Sequence, residues 1–176
     1  MTPPIRISNL RDYPEWLTQV SQWLHSEWMA RYGEGVSAQA VDIDRRARLE
    51  SLRKHLEPNA LPVSFVAHQN EQPVGVVSLV RYQSEQVPNP AVWLTNLFVL
   101  PNYRKHGIGQ SLLVSAQTYA KNMERGNKVV PFNAKLQLFT HDLAAYYGER
   151  GWKKNRVSIL HGLRGDIMEF DLRSRS

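Results

Sequence analysis

The chain has 176 residues, 42% apolar and 22% charged, with a formal net charge of +6 and no cysteine. Such a length supports one compact domain that buries roughly two-thirds of its unfolded surface, and the composition is that of a globular protein, not a disordered one. The lack of cysteine excludes disulfides, thiolate catalysis and cysteine-ligated metal sites.

Residues 1–7 do not read as a basic start followed by an apolar leader, and no apolar run reaches bilayer-spanning length. Together with the missing cysteines, this gives a cytoplasmic expectation with no membrane partner. Loose ends are expected at Met1–Pro4 and Arg173–Ser176. Ile5–Ser8 alternates as a short strand. Asp12 and Glu15 form a capping-box pattern ahead of Trp16, Leu17, Val20, Trp23, Leu24 and Trp28, which fall at helical spacing up to Tyr32-Gly33. Ser37–Leu56 reads as a second, more polar helix. Val63–His68 and Val74–Tyr82 alternate around a turn at Asn70–Pro73, which is a hairpin. Gln83–Pro90 is a polar loop. Val92–Leu100 is an apolar strand stopped by Pro101, and Gly107–Arg125 a regular helix closed by Gly126. A strand at Lys135–Thr140, a short helix at His141–Arg150, and strands at Gly151–Leu160 and Asp166–Leu172 around a Gly162–Gly165 turn complete the chain. No repeat, low-complexity segment or domain linker interrupts this order. The mixture predicts an α/β fold with a mixed sheet, in a single domain spanning residues 1–176.

The segment Asn102-Tyr103-Arg104-Lys105-His106-Gly107-Ile108-Gly109 joins the most apolar strand to the most regular helix. A helix start offers unpaired N–H groups and the positive end of the dipole, which together bind phosphate. Gly107 and Gly109 let an anion approach the backbone, and Arg104 and Lys105 add charge. A nucleoside-triphosphate loop would need Gly-Lys-Ser or Gly-Lys-Thr, which is absent. A dinucleotide fingerprint would need glycine where Leu112 stands. Taken alone, the plainer reading of the loop is a strand-to-helix turn with exposed basic residues.

FVLPNYRKHGIGQSLL resembles the acetyl-CoA loop of the GNAT superfamily of N-acetyltransferases, whose pattern is [RQ]-x-x-G-x-[GA] after a V-x-P strand end. LFTHDLAAYYGERGW is similar to the second cofactor segment of that family, which ends in Y-x-x-x-G-[FW]. The resemblance covers roughly residues 62–171. It implies a GNAT-type mixed, mostly antiparallel twisted sheet of about seven strands with helices on both faces. It implies acetyl-CoA as acetyl donor, held by Leu97, Phe98 and Val99 on a bulged strand and by Arg104, Lys105, His106, Gly107, Ile108, Gly109 and Gln110. Thr140 stands where the family often has an asparagine near the pantetheine arm. Tyr147, four residues before Gly151, falls on the position of the catalytic tyrosine; its plainer reading is a core aromatic. EWMARYGEGV, ARLESL and the triplet Thr140-His141-Asp142 are similar to the branch of the family that includes the actin amino-terminal acetyltransferase and its bacterial relatives. That likeness does not make actin the substrate.

The implied reaction is direct attack of a primary amine on acetyl-CoA, with a small-molecule amine or a peptide amino terminus as acceptor. Amides near Phe98 and Val99 would meet the developing negative charge, and the Tyr147 phenol would protonate the leaving sulfur. Thr95 and Asn96 stand where many relatives carry a carboxylate, and neither is an ordinary base. His141 and Asp142 are the nearest titratable pair, Asp142 being readable as a helix cap. No metal is implied. A homodimer is compatible with the fold, whose late strands often mediate dimers. The competing readings are a non-catalytic acyl-CoA-binding module of the same fold and a nucleic-acid binder built on Lys153, Lys154 and Arg156. The second lacks a basic face interleaved with aromatics, and such a cluster also suits a solvated strand edge.

Overall fold

The computed structural model describes residues 2–82, 91–126, 134–160 and 162–173. Asn70 (φ 51°) and Glu71 (φ 62°) both adopt left-handed backbone, the geometry of a two-residue turn whose twist matches that of the flanking strands. They connect β2 (Val63–Gln69) to β3 (Gln72–Tyr82), a tighter turn than the four residues expected. β1 (Arg6–Asn9) lies antiparallel to β2 with Ile7 opposite Ala67. β4 (Ala91–Val99) pairs in parallel with β5 (Lys135–Thr140), Val92 opposite Leu136. β7 (Leu163–Asp171) is antiparallel to both β5 and β6 (Lys153–Leu160). The seven strands form one mostly antiparallel sheet in the order β1-β2-β3-β4-β5-β7-β6. Leu160 stands opposite Leu163, so the last turn is also shorter than the expected Gly162–Gly165. The polar loop at 83–90, His161, Met1 and 174–176 lie outside the described residues.

The first helix departs from expectation at its start. Asp12 and Glu15 do not form a capping box. Two 3-10 turns, Leu10–Asp12 and Pro14–Trp16, precede α1 (Leu17–Tyr32), and neither the second turn nor α1 has a side-chain cap. Pro14 is the physical reason. Its ring fixes its own φ and pushes the preceding residue out of the helical region, and Tyr13 accordingly sits at φ −135°, ψ 62°. α2 (Ala38–Arg53) is capped by Ser37, whose Oγ accepts from the Ala40 N–H at 3.1 Å. Its last residues tighten into a 3-10 turn at Lys54–Leu56. α3 (Ile108–Gly126) buries Ile108, Leu112, Leu113, Ala116, Ala120 and Met123, the stripe that its periodicity requires. α4 (Ala144–Gly148) is shorter than its forecast.

By internal packing the chain divides into two compact units, Met1–Ser78 with Asn96–Leu112 and Leu79–Thr95 with Leu113–Ser176. The core of the first contains Leu10, Trp16, Leu17, Val20, Leu52, Val66 and Val76. α2 is further tied to α1 by Asp44, which accepts from Arg48 Nε (2.9 Å) and bonds His25 Nδ1 (2.8 Å). In the second unit, Trp93 and Ile167 pack with Val80, Tyr82, Ala91 and Phe139. Lys154 forms an ion pair with Asp166 at 3.3 Å on edge strand β6, in keeping with a solvated edge.

The first unit also contains a buried polar group. His55 is 4% exposed, and its Nδ1 lies 2.7 Å from Ser64 Oγ. Burial pushes the His55 imidazole down to about 4, against an upward pull from a backbone hydrogen bond with Val63. The folded state therefore holds the neutral ring, while the unfolded chain takes up a proton near the ordinary value of 6.5. Stability is complete above that value and declines as pH falls through the window from 6.5 to 4, by up to about 3 kcal/mol. Urea unfolding at pH 7.5 and pH 4.5 should show a drop about 2–3 kcal/mol larger in the wild type than in His55→Asn. Equal drops would refute this account. In the second unit, a Cβ on Gly165 would lie 2.6 Å from the Thr140 carbonyl oxygen and 2.7 Å from the Phe139 ring. Gly165→Ala should cost about 1–3 kcal/mol through this overpacking, read as a lowered urea midpoint with an unchanged slope.

Candidate functional site

The feature that shapes the end of β4 is Asn96. Within a strand it adopts φ 59°, a left-handed conformation that costs roughly 1–2 kcal/mol for most L-residues and less for asparagine. One such residue breaks the alternation of side chains along the strand. Beyond the break, Phe98 packs at the first unit's core, with its ring 5.9 Å from that of Trp23. The Leu100 N–H donates to the Val74 carbonyl at 2.9 Å. Gly75 on β3 lies under this end, where a Cβ would sit 3.0 Å from the Phe98 carbonyl oxygen. The expected strand contacts Leu97, Phe98 and Val99 thus directly follow an irregular strand position. Asn96 Nδ2 donates to Ser78 Oγ at 3.1 Å, which directs the side chain into a hydrogen bond.

The loop that follows is built from two left-handed residues. Lys105 has φ 65° and Gly107 φ 80°. A Cβ at position 107 would meet nothing within 4 Å, so conformation selects glycine there, and the space beside the loop is open. The first helical bond of α3 runs from the Ser111 N–H to the Gly107 carbonyl at 3.0 Å. The amides of Ile108, Gly109 and Gln110 come before it, and a helix supplies them with no partner. Arg104 also makes contacts within its own segment. Its Nε donates to the Val99 carbonyl at 2.7 Å, and its guanidinium lies 5.4 Å from the Phe98 ring centroid. It braces the strand end with its side chain. His106 approaches the Tyr103 carbonyl at 3.4 Å.

The other predicted residues lie in the second unit. Tyr147 is 7% exposed, its ring 5.2 Å from Tyr146 and 6.0 Å from Trp152. The spacing of its motif has a mechanical cause. Gly151 takes φ 90°, the Trp152 N–H donates to the Tyr147 carbonyl (3.1 Å), and the Gly151 N–H donates to the Gly148 carbonyl (3.3 Å). This pair of bonds is a Schellman helix end, which requires glycine one residue before the tryptophan that packs back on the tyrosine. Thr140 is buried, and its Oγ1 accepts from the Leu143 N–H at 3.0 Å. It closes the turn into α4. Asp142 was expected to cap that helix, but the N-cap is Leu143, with no side-chain cap. His141 is half-buried and lies edge-on to Phe139 at 6.4 Å.

Sequence reading missed the partners of Asn96. Ser78 Oγ also lies 2.7 Å from Ser64 Oγ, which bonds His55. The signal was present: Ser64 and Ser78 stand in phase with the buried Val66 and Val76, where an apolar residue is the ordinary choice.

Comparison with known proteins gives a consistent family. The family model of the acetyltransferase (GNAT) domain matches residues 62–154. A GNAT-family acetyltransferase of Staphylococcus aureus Mu50 superposes with a TM-score of 0.68 at 18% identity, covering 97% of this chain and 100% of its own. The PaiA N-acetyltransferase of Thermoplasma acidophilum, solved in complex with coenzyme A, gives 0.64 at 21%, covering 96% and 99%. Aminoglycoside 6′-acetyltransferase type Ii gives 0.66 at 20%, covering 97% and 99%. A search of curated protein sequences finds no match. With the left-handed break in β4 and the glycine loop at the start of α3 inside the matched region, the chain belongs to the GNAT acetyltransferase family.

Proposed function

We propose that this protein is an N-acetyltransferase that takes its acetyl group from acetyl-CoA and delivers it to a primary amine, on a small molecule or a peptide amino terminus. The observation that carries the reading is the loop before α3. There Lys105 and Gly107 turn left-handed and leave the amides of Ile108, Gly109 and Gln110 ahead of the first helical bond. Those amides, the helix dipole and the open space at Gly107 fit a pyrophosphate. Acetyl-CoA supplies the acetyl group as an activated thioester.

The roles of the chain's own residues follow from this. Lys105, His106 and the three amides orient the phosphates. Leu97, Phe98 and Val99 offer backbone groups to the pantetheine arm, and the Phe98 and Val99 N–H groups are donors for charge developing on the carbonyl oxygen. Arg104 holds the strand end through the Val99 carbonyl. Thr140 supports the second segment through its turn. The Tyr147 hydroxyl holds the proton that the sulfur takes up. That assignment rests on its place before Gly151-Trp152. No dedicated base is required for an α-amino acceptor, whose pKa of about 8 leaves a usable neutral fraction at neutral pH.

Two experiments test the reading. Gly107→Asp places a carboxylate beside the phosphates and should weaken coenzyme A binding roughly 100-fold, the equivalent of one or two charge-assisted hydrogen bonds. Unchanged affinity by calorimetry would remove the loop from the cofactor site. Tyr147→Phe should lower kcat by about 100-fold, a general-acid contribution, with coenzyme A affinity within about twofold of wild type. Unaltered turnover would remove Tyr147 as the acid. Coenzyme A binding without turnover across a panel of amines and peptides would leave a non-catalytic acyl-CoA-binding module.

A further inference from the structure

The first unit contains a line of four polar side chains that the proposed chemistry does not use. It starts at His55, in the turn after α2, and passes through Ser64 on β2 and Ser78 on β3 to Asn96 on β4. The links are 2.7, 2.7 and 3.1 Å long. Ser64 and Ser78 are fully buried. Such a chain is retained only if each member is satisfied, because an unpaired buried hydroxyl or amide is costly. The Asn96 amide is necessarily the donor at its end. The Ser78 hydroxyl is then free to donate to Ser64, and Ser64 to Nδ1 of His55 in the tautomer that leaves that nitrogen unprotonated, so one direction of donation is available that satisfies every link.

The line ends on the one described residue of β4 that takes left-handed backbone. Solvation could have satisfied a half-buried asparagine, yet its side chain is held inward. Neighbours in phase on the same strands are Val66 and Val76, which belong to the apolar core. The serines therefore occupy positions where apolar packing was available.

We propose that His55, Ser64 and Ser78 are positioning residues: a buried hydrogen-bonded strut that holds Asn96 left-handed and so fixes where the backbone of Leu97, Phe98 and Val99 stands. The part of the proposal that concerns coenzyme A rests on the acyl-CoA reading above; the part that concerns the strand does not.

The test compares Ser78→Ala, which removes the central hydroxyl, with Val76→Ala, which creates a cavity on the same face of the same strand. Amide hydrogen exchange at residues 96–99 should speed up at least tenfold in Ser78→Ala, beyond any change in global stability. In Val76→Ala it should follow global stability alone. Coenzyme A affinity, measured by calorimetry where all variants are folded, should fall at least tenfold in Ser78→Ala and stay within twofold in Val76→Ala. Asn96→Gly keeps the left-handed conformation accessible and leaves the serine pair intact, so it supplies the test if Ser78→Ala does not fold. It should match Ser78→Ala in both readouts, and the double variant should be no worse than either single one, since both break the same link. Equal exchange and affinity in Ser78→Ala and Val76→Ala would overturn the strut. If wild type binds no coenzyme A, the acyl-CoA reading falls together with the cofactor part, and exchange alone decides whether the strut holds the strand.

Discussion

A left-handed residue inside a strand is a local contradiction that something else must resolve. In β4 that residue is Asn96, and what the strand offers after it follows from the break. The hydrogen bond from Asn96 to Ser78 contributes about 1 kcal/mol, comparable with the conformational cost it offsets. On that scale neither the asparagine's tolerance of positive φ nor the bond alone leaves a wide margin, and both are present. Arg104 adds a second constraint from the loop after the strand, through the Val99 carbonyl and the Phe98 ring. Gly75 adds a third by leaving room for the Phe98 carbonyl. The three residues lie on different segments and act on a stretch of four residues.

The second unit uses the same economy of means at Tyr147. Its carbonyl accepts two N–H groups, from Arg150 and Trp152, across a helix end only five residues long. The left-handed Gly151 makes that closure available without a Cβ penalty. A Cβ there would also stand 3.3 Å from Phe170. Backbone bonds and the ring of Trp152 thus contribute to the tyrosine's position.

Much of this was legible in the residues. The order of strands and helices followed from alternation and helical spacing, and the glycine loop and the Y-x-x-x-G-W segment pointed to the family that the comparison returned. Three details were hidden for physical reasons. Pro14 overrode the Asp12–Glu15 cap through backbone sterics, a tertiary-independent effect that a pattern of side chains does not express. Arg104 reads as a loop cation, and its bond to the Val99 carbonyl was not legible because a long flexible side chain leaves no spacing signal for its partner. The line from His55 to Asn96 joins residues 41 positions apart in sequence, and only the pairing of adjacent strands brings them within bonding distance.

The +6 charge is spread over a surface on which several basic side chains are paired. Basic side chains find acidic neighbours locally: Arg45 and Arg46 pair with Asp42, Arg48 with Asp44, Lys135 with Glu169 and Lys154 with Asp166. Exposed pairs of this kind are worth little individually and are screened over about 8 Å at physiological salt. They leave the net surplus of positive charge unchanged, and that surplus names no acceptor. At the loop itself, Arg104 Nε is engaged by the Val99 carbonyl, and the amides ahead of the first helical bond are fixed in direction by the backbone. Amides of this kind recognise the shape and placement of an anion, whereas mobile lysines recognise only its sign. The surface charge carries no comparable directional information about an acceptor.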